Sequence, residues 1–208
     1  MTKTHGHLAL AISVLFALVA SGIAPYDRLT WWMEIAPVLI ALPLLAATHR
    51  HFPLTNLLAI LIALHCLVLI LGGAYSYARV PLGFWLQDWF ALGRNPYDKI
   101  GHFMQGLVPA LIAREILLRG NRIRGRKMTT FVCICIALAI SACYELIEWL
   151  AAISIGQGAD EFLGTQGDPW DTQSDMAMAL LGAVSSTFLL ARWHDQQLKQ
   201  YLKNLSLW

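Results

Sequence analysis

The residues of this chain that could do chemistry gather in three short segments. In Asn95 to Gln105 (NPYDKIGHFMQ), Asp98, His102 and Gln105 stand at i, i+4 and i+7, which on a helix makes a single stripe. In Cys143 to Trp149 (CYELIEW), Glu145 and Glu148 lie three apart and share a face. In Gly164 to Asp175 (GTQGDPWDTQSD), Asp168 leads to Asp171 and Asp175, again about one turn apart. Carboxylates grouped with an imidazole can bind a polar head group through hydrogen bonds, hold a cation, or exchange protons. The candidate ligand-binding residues are therefore Asp98, Lys99, His102, Gln105, Glu145, Glu148, Asp168, Asp171 and Asp175. A mixed set with one histidine suits Mg²⁺ or Mn²⁺, and Zn²⁺ less well, with His102, Glu145, Glu148, Asp171 and Asp175 as candidate metal ligands. In a catalytic version Glu145 or Glu148 is the base and His102 the ligand or acid, although no HExxH-type signature supports it.

Several members have a local explanation as well. Asp168 before Pro169 reads as a helix N-cap with proline at the first helical position, and Thr172 with Asp175 reads as a capping box. Asp98 can pair with Lys99 or cap its own helix, and His102 alone would be a satisfied core histidine, as would His65. Glu145 and Glu148 resist such explanations, because they lie near a helix C-terminus, where the dipole disfavours anions. They need a cation or protons.

The elements that carry these residues are membrane spans. Of 208 residues, 57% are hydrophobic and 13% charged, against about 25% charged in an ordinary soluble domain. That composition excludes a disordered chain and argues against a water-soluble globule. A net charge of +2 without basic residues interleaved among aromatics gives no reason to expect a nucleic-acid partner. Six stretches are long enough for a bilayer core, which needs roughly 20 apolar residues per helix. They run approximately over 8–24, 30–47, 54–77, 98–118, 128–152 and 173–192. Continuous apolar runs of this length exclude the alternation of a β-barrel. The expectation is an all-α polytopic helical bundle, one integral membrane domain over 1–208, whose first span is a retained anchor rather than a cleaved signal.

Basic loops favour the cytoplasm. The connector after span four holds Arg119, Arg122, Arg124, Arg126 and Lys127, and can also touch anionic lipid. The connector after span five has no Lys or Arg but carries Asp160, Glu161, Asp168 and Asp171. The basic side is then cytoplasmic and the acidic side periplasmic, with both termini inside, in keeping with Lys3, Lys199 and Lys203. The loop holding Arg79, Arg94 and Lys99 runs mildly against the rule.

With this orientation every polar stripe falls at the outer end of its span, and Glu34 lies at the same depth. An outward-facing acidic pocket is expected, since ionisable groups within a membrane normally face one another or a wet cavity. Trp31, Trp32, Trp85, Trp89, Trp149 and Trp170 are expected at the outer interface. Small residues at Gly101, Gly106, Ser141, Ala142, Gly182 and Ala183 would allow close helix packing. Cys66, Cys133, Cys135 and Cys143 read as apolar fillers, without disulfide or zinc. His5, His7, His49, His51 and His194 read as surface residues near the cytoplasmic face, and Arg114 with Glu115 as a local interfacial pair.

The motifs YDKIGHF (97–103), YELIEW (144–149) and FLGTQGDPWDTQSDM (162–176) resemble those of the YjdF family of uncharacterised bacterial inner-membrane proteins, a likeness that spans nearly the whole chain. More distantly, the second half is similar to VanZ-like membrane proteins. The likeness to VanZ-like proteins implies a shared architecture and a pocket at Asp98, His102, Glu145, Glu148, Asp171 and Asp175, and resistance to antibiotics is not carried over. Three readings remain open: an inner-membrane protein binding an envelope lipid head group or similar polar ligand, with Lys99, Arg94 or a bound cation meeting a phosphate, a metal-assisted hydrolase or transferase acting on a lipid phosphate or glycan, and a small proton-coupled transporter.

Overall fold

A computed structural model describes residues 3–123, 125–155 and 165–202. Arg124, Asp160, Glu161 and Lys203, used above to orient the chain, lie outside these, as does the start of the FLGTQGDPW motif. The described residues form helices joined by short turns and loops, without a strand: α1 (Lys3–Ser21), α2 (Arg28–Thr48), α3 (Asn56–Tyr75), a 3₁₀ turn (Tyr77–Arg79), a short α4 (Pro81–Trp89), α5 (Tyr97–Arg119), α6 (Arg126–Ile155), α7 (Asp171–Leu189) and α8 (Ala191–Leu202).

Local chemistry sets the helix starts. Asp27 caps α2 by accepting the Thr30 N–H at 2.7 Å, and the Thr55 hydroxyl accepts the Leu58 N–H at the start of α3. Pro81 opens α4, where its missing N–H costs nothing. Pro37 and Pro43 within α2 and Pro109 within α5 are tolerated, as neighbouring helices in a membrane bundle support the interrupted backbone.

The long helices alternate in direction. Tyr26 N–H bonds the Ala74 carbonyl at 2.9 Å, which ties the α1–α2 turn to the end of α3. His7 meets Asn56 at the opposite end. Contacts of Glu34 with Tyr144, and of Thr55 with Glu115, bring the start of α2 to the end of α6 and the start of α3 to the end of α5. Helices α5 and α7 are parallel and packed most closely, with Gly106 seated on the Ala179 carbonyl and Gly182 on the Phe103 carbonyl. A Cβ on either glycine would collide with that backbone, so small residues at this crossing are required.

Helix α5 occupies the centre, touching α3, α6 and α7. Its Gly101, His102, Gly106, Val108, Leu111, Arg114 and Glu115 are all buried. One apolar core joins α1, α2, α3 and α5 around Val14, Ile35, Val38, Leu58 and Leu111, and a smaller one joins α5, α6 and α7 around Ala110, Cys133, Ala137 and Ala183. Phe16, Ile40, Phe131, Trp149 and Phe188 point outward, an apolar exterior that suits lipid.

Three helices, α2, α3 and α6, are long and apolar enough to cross a bilayer, and α7 with α8, bent by 62°, gives a fourth if the pair is one span. The apolar part of α1 is shorter. Helix α5 carries Asp98, Lys99, Arg114, Glu115 and Arg119, so its apolar content is low, but protein rather than lipid surrounds it. This arrangement is compatible with the six expected spans.

Several local expectations are corrected. Helix α7 begins at Asp171 with Trp170 before it and no side-chain cap, so Asp168 is not an N-cap. Its carboxylate instead accepts the Trp170 N–H at 2.9 Å, closing a turn that holds Pro169 outside the helix. Asp175 is committed to Lys99 rather than to a capping box. Trp31 is buried, and its indole N–H donates to Ser21 Oγ at 3.0 Å. His194 is completely buried, and Arg114 and Glu115 each bond α8 instead of one another. His65 is not satisfied: its Nε2 is buried with no hydrogen-bond partner among the described residues. Cys66 and Cys133 are buried, while Cys135 and Cys143 are exposed on α6, and all four are free.

Candidate polar ligand site

The first turns of α5 and α7 lie side by side because both helices run the same way from the same end of the bundle. This parallel register sets Lys99 between two acids of α7. Its Nζ donates to Asp171 Oδ1 at 2.7 Å and to Asp175 Oδ1 at 2.6 Å. Arg94, in the loop before α5, reaches the same Asp171 Oδ1 at 2.5 Å, lies 3.3 Å from Asp168 Oδ2 and donates to the Thr165 carbonyl at 2.6 Å. Burial works against the Arg94 charge, but the Asp171 hydrogen bond and the surrounding acids outweigh it and raise its pKa. The loop is further fixed by Gln166, which accepts the Asn95 N–H at 3.1 Å and donates to the Asn95 carbonyl at 2.9 Å.

One turn deeper, His102 is buried among acids from three helices. Its Nε2 lies 3.5 Å from Asp98 Oδ1 and 3.8 Å from Asp175 Oδ1, and its Nδ1 lies 3.6 Å from Glu145 Oε1. Gln105 Oε1 stands 3.1 Å from Nδ1. Glu34 of α2 is buried and accepts the Tyr144 hydroxyl at 3.4 Å. Glu148 is half-buried, with Glu145, Glu34 and His102 as its electrostatic neighbours. The three stripes thus meet. Asp98, Lys99, His102, Gln105, Glu145, Asp171 and Asp175 share one neighbourhood, with Glu148 and Glu34 at its flank and Asp168 at its mouth.

Sequence reasoning named all of these and set Arg94 beside Lys99 as a cation to meet a phosphate, but it did not pair Arg94 with Asp171 and Asp168. It passed over Gln166, Tyr77 and Tyr144, which support the cluster. The exception to loop charge was the available signal for the Arg94 pairing: a cation on an acidic side needs an acid to face. Tyr77 packs against Gly101 and Gly72, where an added Cβ would strike its ring, and this seats the start of α5 against α3.

Beside the cluster lies an open depression of about 520 Å³, lined by Leu92, Arg94, Pro96, Lys99, Gln166 and Asp168 among others. That volume lies in the range of small-ligand sites, roughly 300 to 1,000 Å³. Arg94 and Lys99 form its cationic wall, with their other faces against the acids. Phe84, Trp85 and Trp89 of the adjacent α4 and Phe90 just after it are exposed, in keeping with aromatic rings at head-group depth. The arrangement offers two tethered cations to an anion from the front, and a buried set of acids and one imidazole behind them.

Residues 6–196 match the family model described as "Predicted membrane protein (DUF2238)". The chain is 58% identical over 204 residues, covering 97% of it and 98% of the relative, to "Inner membrane protein YjdF" of Escherichia coli (strain K12). The relative's name states a location, with no substrate or reaction. No solved structure matches the chain. This is an inner-membrane protein with membrane-spanning helices, and it belongs to the DUF2238 family of predicted membrane proteins.

Proposed function

We propose that the acidic end of the bundle faces the periplasm and that its depression binds the phosphate-bearing head group of an envelope lipid. The observation that carries this reading is the placement of Arg94 and Lys99 together on the wall of an open cavity beside an aromatic helix. A phosphate can take charge-assisted hydrogen bonds from both cations, while α4 holds the mouth at the level of head groups. The acids behind keep both side chains extended, so their rotamer entropy is spent before a ligand arrives. Orientation is supported by Arg119, Arg122, Arg126 and Lys127 at the opposite end of α5 and α6.

The test is native mass spectrometry of the detergent-solubilised full chain, titrated separately with phosphatidylglycerol and inorganic phosphate. Saturable retention of one lipid, competed by phosphate and weakened about tenfold by Arg94→Gln, is expected, as loss of one charge-assisted bond is worth ~1.5 kcal/mol or more. Retention that never saturates, or that is unchanged in Arg94→Gln, overturns the reading. Binding of inorganic phosphate without lipid would overturn its lipid part.

A further inference from the structure

His102 shows a polarity that the head-group reading does not use. An amide oxygen only accepts, so Gln105 Oε1, 3.1 Å from Nδ1, places the proton on Nδ1. The other nitrogen, Nε2, faces Asp98 Oδ1 at 3.5 Å and Asp175 Oδ1 at 3.8 Å. Both separations exceed an ordinary hydrogen bond. One ligand atom from each of Asp98, His102 and Asp175 lies within 4.8 Å of the others. An independent sign comes from α6. Glu145 is only 8% exposed, its Oε1 has no hydrogen-bond partner among the described residues, and that atom points at His102 Nδ1 from 3.6 Å. A buried carboxylate oxygen without a partner is costly.

We infer that Asp98, His102 and Asp175 form a binding site for a divalent transition-metal ion, with Glu145 orienting the imidazole from behind. The ion takes the Nε2 lone pair and one oxygen from each aspartate. Metal-bound histidines commonly donate their second N–H to a carboxylate; here Gln105 Oε1 takes that N–H at 3.1 Å, and Glu145 Oε1, 3.6 Å from the same nitrogen, stands beside it as the carboxylate behind the ring. Ligand atoms about 2.1 Å from an ion stand ~3.4 Å apart in tetrahedral geometry, so the widest gap needs to close by at most about 1.4 Å. Glu34 and Glu148 nearby leave the cluster with more acids than Lys99 and Arg94 balance, and a dication offsets that excess. The wider acidic set points to Mg²⁺ or Mn²⁺; with the ligands narrowed to two carboxylates and one imidazole, the imidazole carries more weight and turns the preference toward Zn²⁺. Lys99 is the competitor, since its Nζ bonds Asp175 Oδ1 at 2.6 Å.

The inference goes beyond the head-group reading and fails separately from it, because Asp98 and His102 do not line the depression and Arg94 is not a metal ligand. The test is calorimetric titration of Zn²⁺ into the EDTA-stripped, detergent-solubilised full chain. One equivalent is expected to bind. Asp98→Asn and His102→Gln weaken it by more than about tenfold, and Glu145→Gln by about 10- to 100-fold. Lys99→Gln tightens it several-fold, an effect that simple loss of structure would not give. Should the ligand variants fail to fold, the Co²⁺-loaded wild-type chain decides, through visible d–d bands that shift in Glu145→Gln. Absence of saturable Zn²⁺ binding in the wild type, unaltered affinity in both Asp98→Asn and His102→Gln, or a colourless Co²⁺ form overturns the inference.

Discussion

His194 Nε2 donates to Glu115 Oε2 at 2.9 Å, joining residues 79 apart in the chain, both with no exposed surface. Arg114 contacts the other ring nitrogen at 3.0 Å, and because a guanidinium only donates, that nitrogen is the acceptor. Glu115 also accepts from Thr55 N–H, Thr55 Oγ1 and Arg119. This network pins α8 beneath α3 and α5 at the end of the bundle opposite the acidic site. Arg119 adds to it by stacking on Phe52 and Tyr201.

Removing one partner should therefore cost more than removing a rim charge. His194→Ala leaves Glu115 buried with a lost donor and is expected to destabilise by about 3 kcal/mol or more. Asp195→Ala, whose carboxylate meets Arg114 but is half-buried, is expected to cost about 1 kcal/mol. Thermal unfolding of the two variants in detergent compares them directly.

The α5–α7 crossing has no room to give. At Gly106 an added methyl meets the Ala179 backbone, and at Gly182 the Phe103 backbone. Gly106→Ala and Gly182→Ala are each expected to cost about 1 to 3 kcal/mol. Gly93, with open space around it, serves as the control, and Gly93→Ala should stay within about 0.5 kcal/mol. The same unfolding assay reads all three.

Asp171 holds both cations of the depression at once. Asp171→Asn leaves Arg94 with Asp168 and Lys99 with Asp175, so more of their charge faces outward. Inorganic phosphate is expected to bind several-fold more tightly to Asp171→Asn than to the wild type, measured by calorimetry at low salt.

At the other edge of the same end, the backbone N–H of Thr30, joined by the Thr30 hydroxyl, lowers the pKa of the Asp27 carboxyl below its ordinary value of 3.8. A depressed carboxyl pKa contributes stability above the unfolded value, and that contribution is lost as pH falls through the folded one. Asp27 is solvent-exposed, so Asp27→Ala is expected to cost only about 0.5 to 1 kcal/mol at neutral pH. The difference from wild type should shrink steadily below about pH 4, as stability measured across a pH series would show.

The depth of the site was readable in the sequence because helix period and loop charge are properties of single segments. Asp98 with His102, Glu145 with Glu148, and Asp171 with Asp175 each declared a face, and alternation of spans put those faces at one level. What the residues do to each other depends on how far each helix is rotated and which neighbour it meets. That is why Asp175 read as a cap when it serves Lys99, and why Asp168 read as one when its carboxylate closes a turn. His194 was misplaced for a related reason. The break at Leu190 turns α8 by 62° back under the bundle, and no periodicity reports the direction of such a turn. Trp31 followed the habit of interfacial tryptophans until Ser21 and Gly22 at the end of α1 covered it.

Binding of an envelope lipid head group requires the acidic end and its depression to face the periplasm. Gly93→Cys places a thiol on the wall of that depression without steric conflict, and Arg122→Cys places one on the basic connector. Labelling intact cells with a membrane-impermeant maleimide, with the wild-type chain and its four free cysteines as the blank, tests this directly. Gly93→Cys is expected to be labelled in intact cells and Arg122→Cys only after the membrane is opened. Labelling of Arg122→Cys in intact cells, with Gly93→Cys protected until lysis, would contradict that orientation.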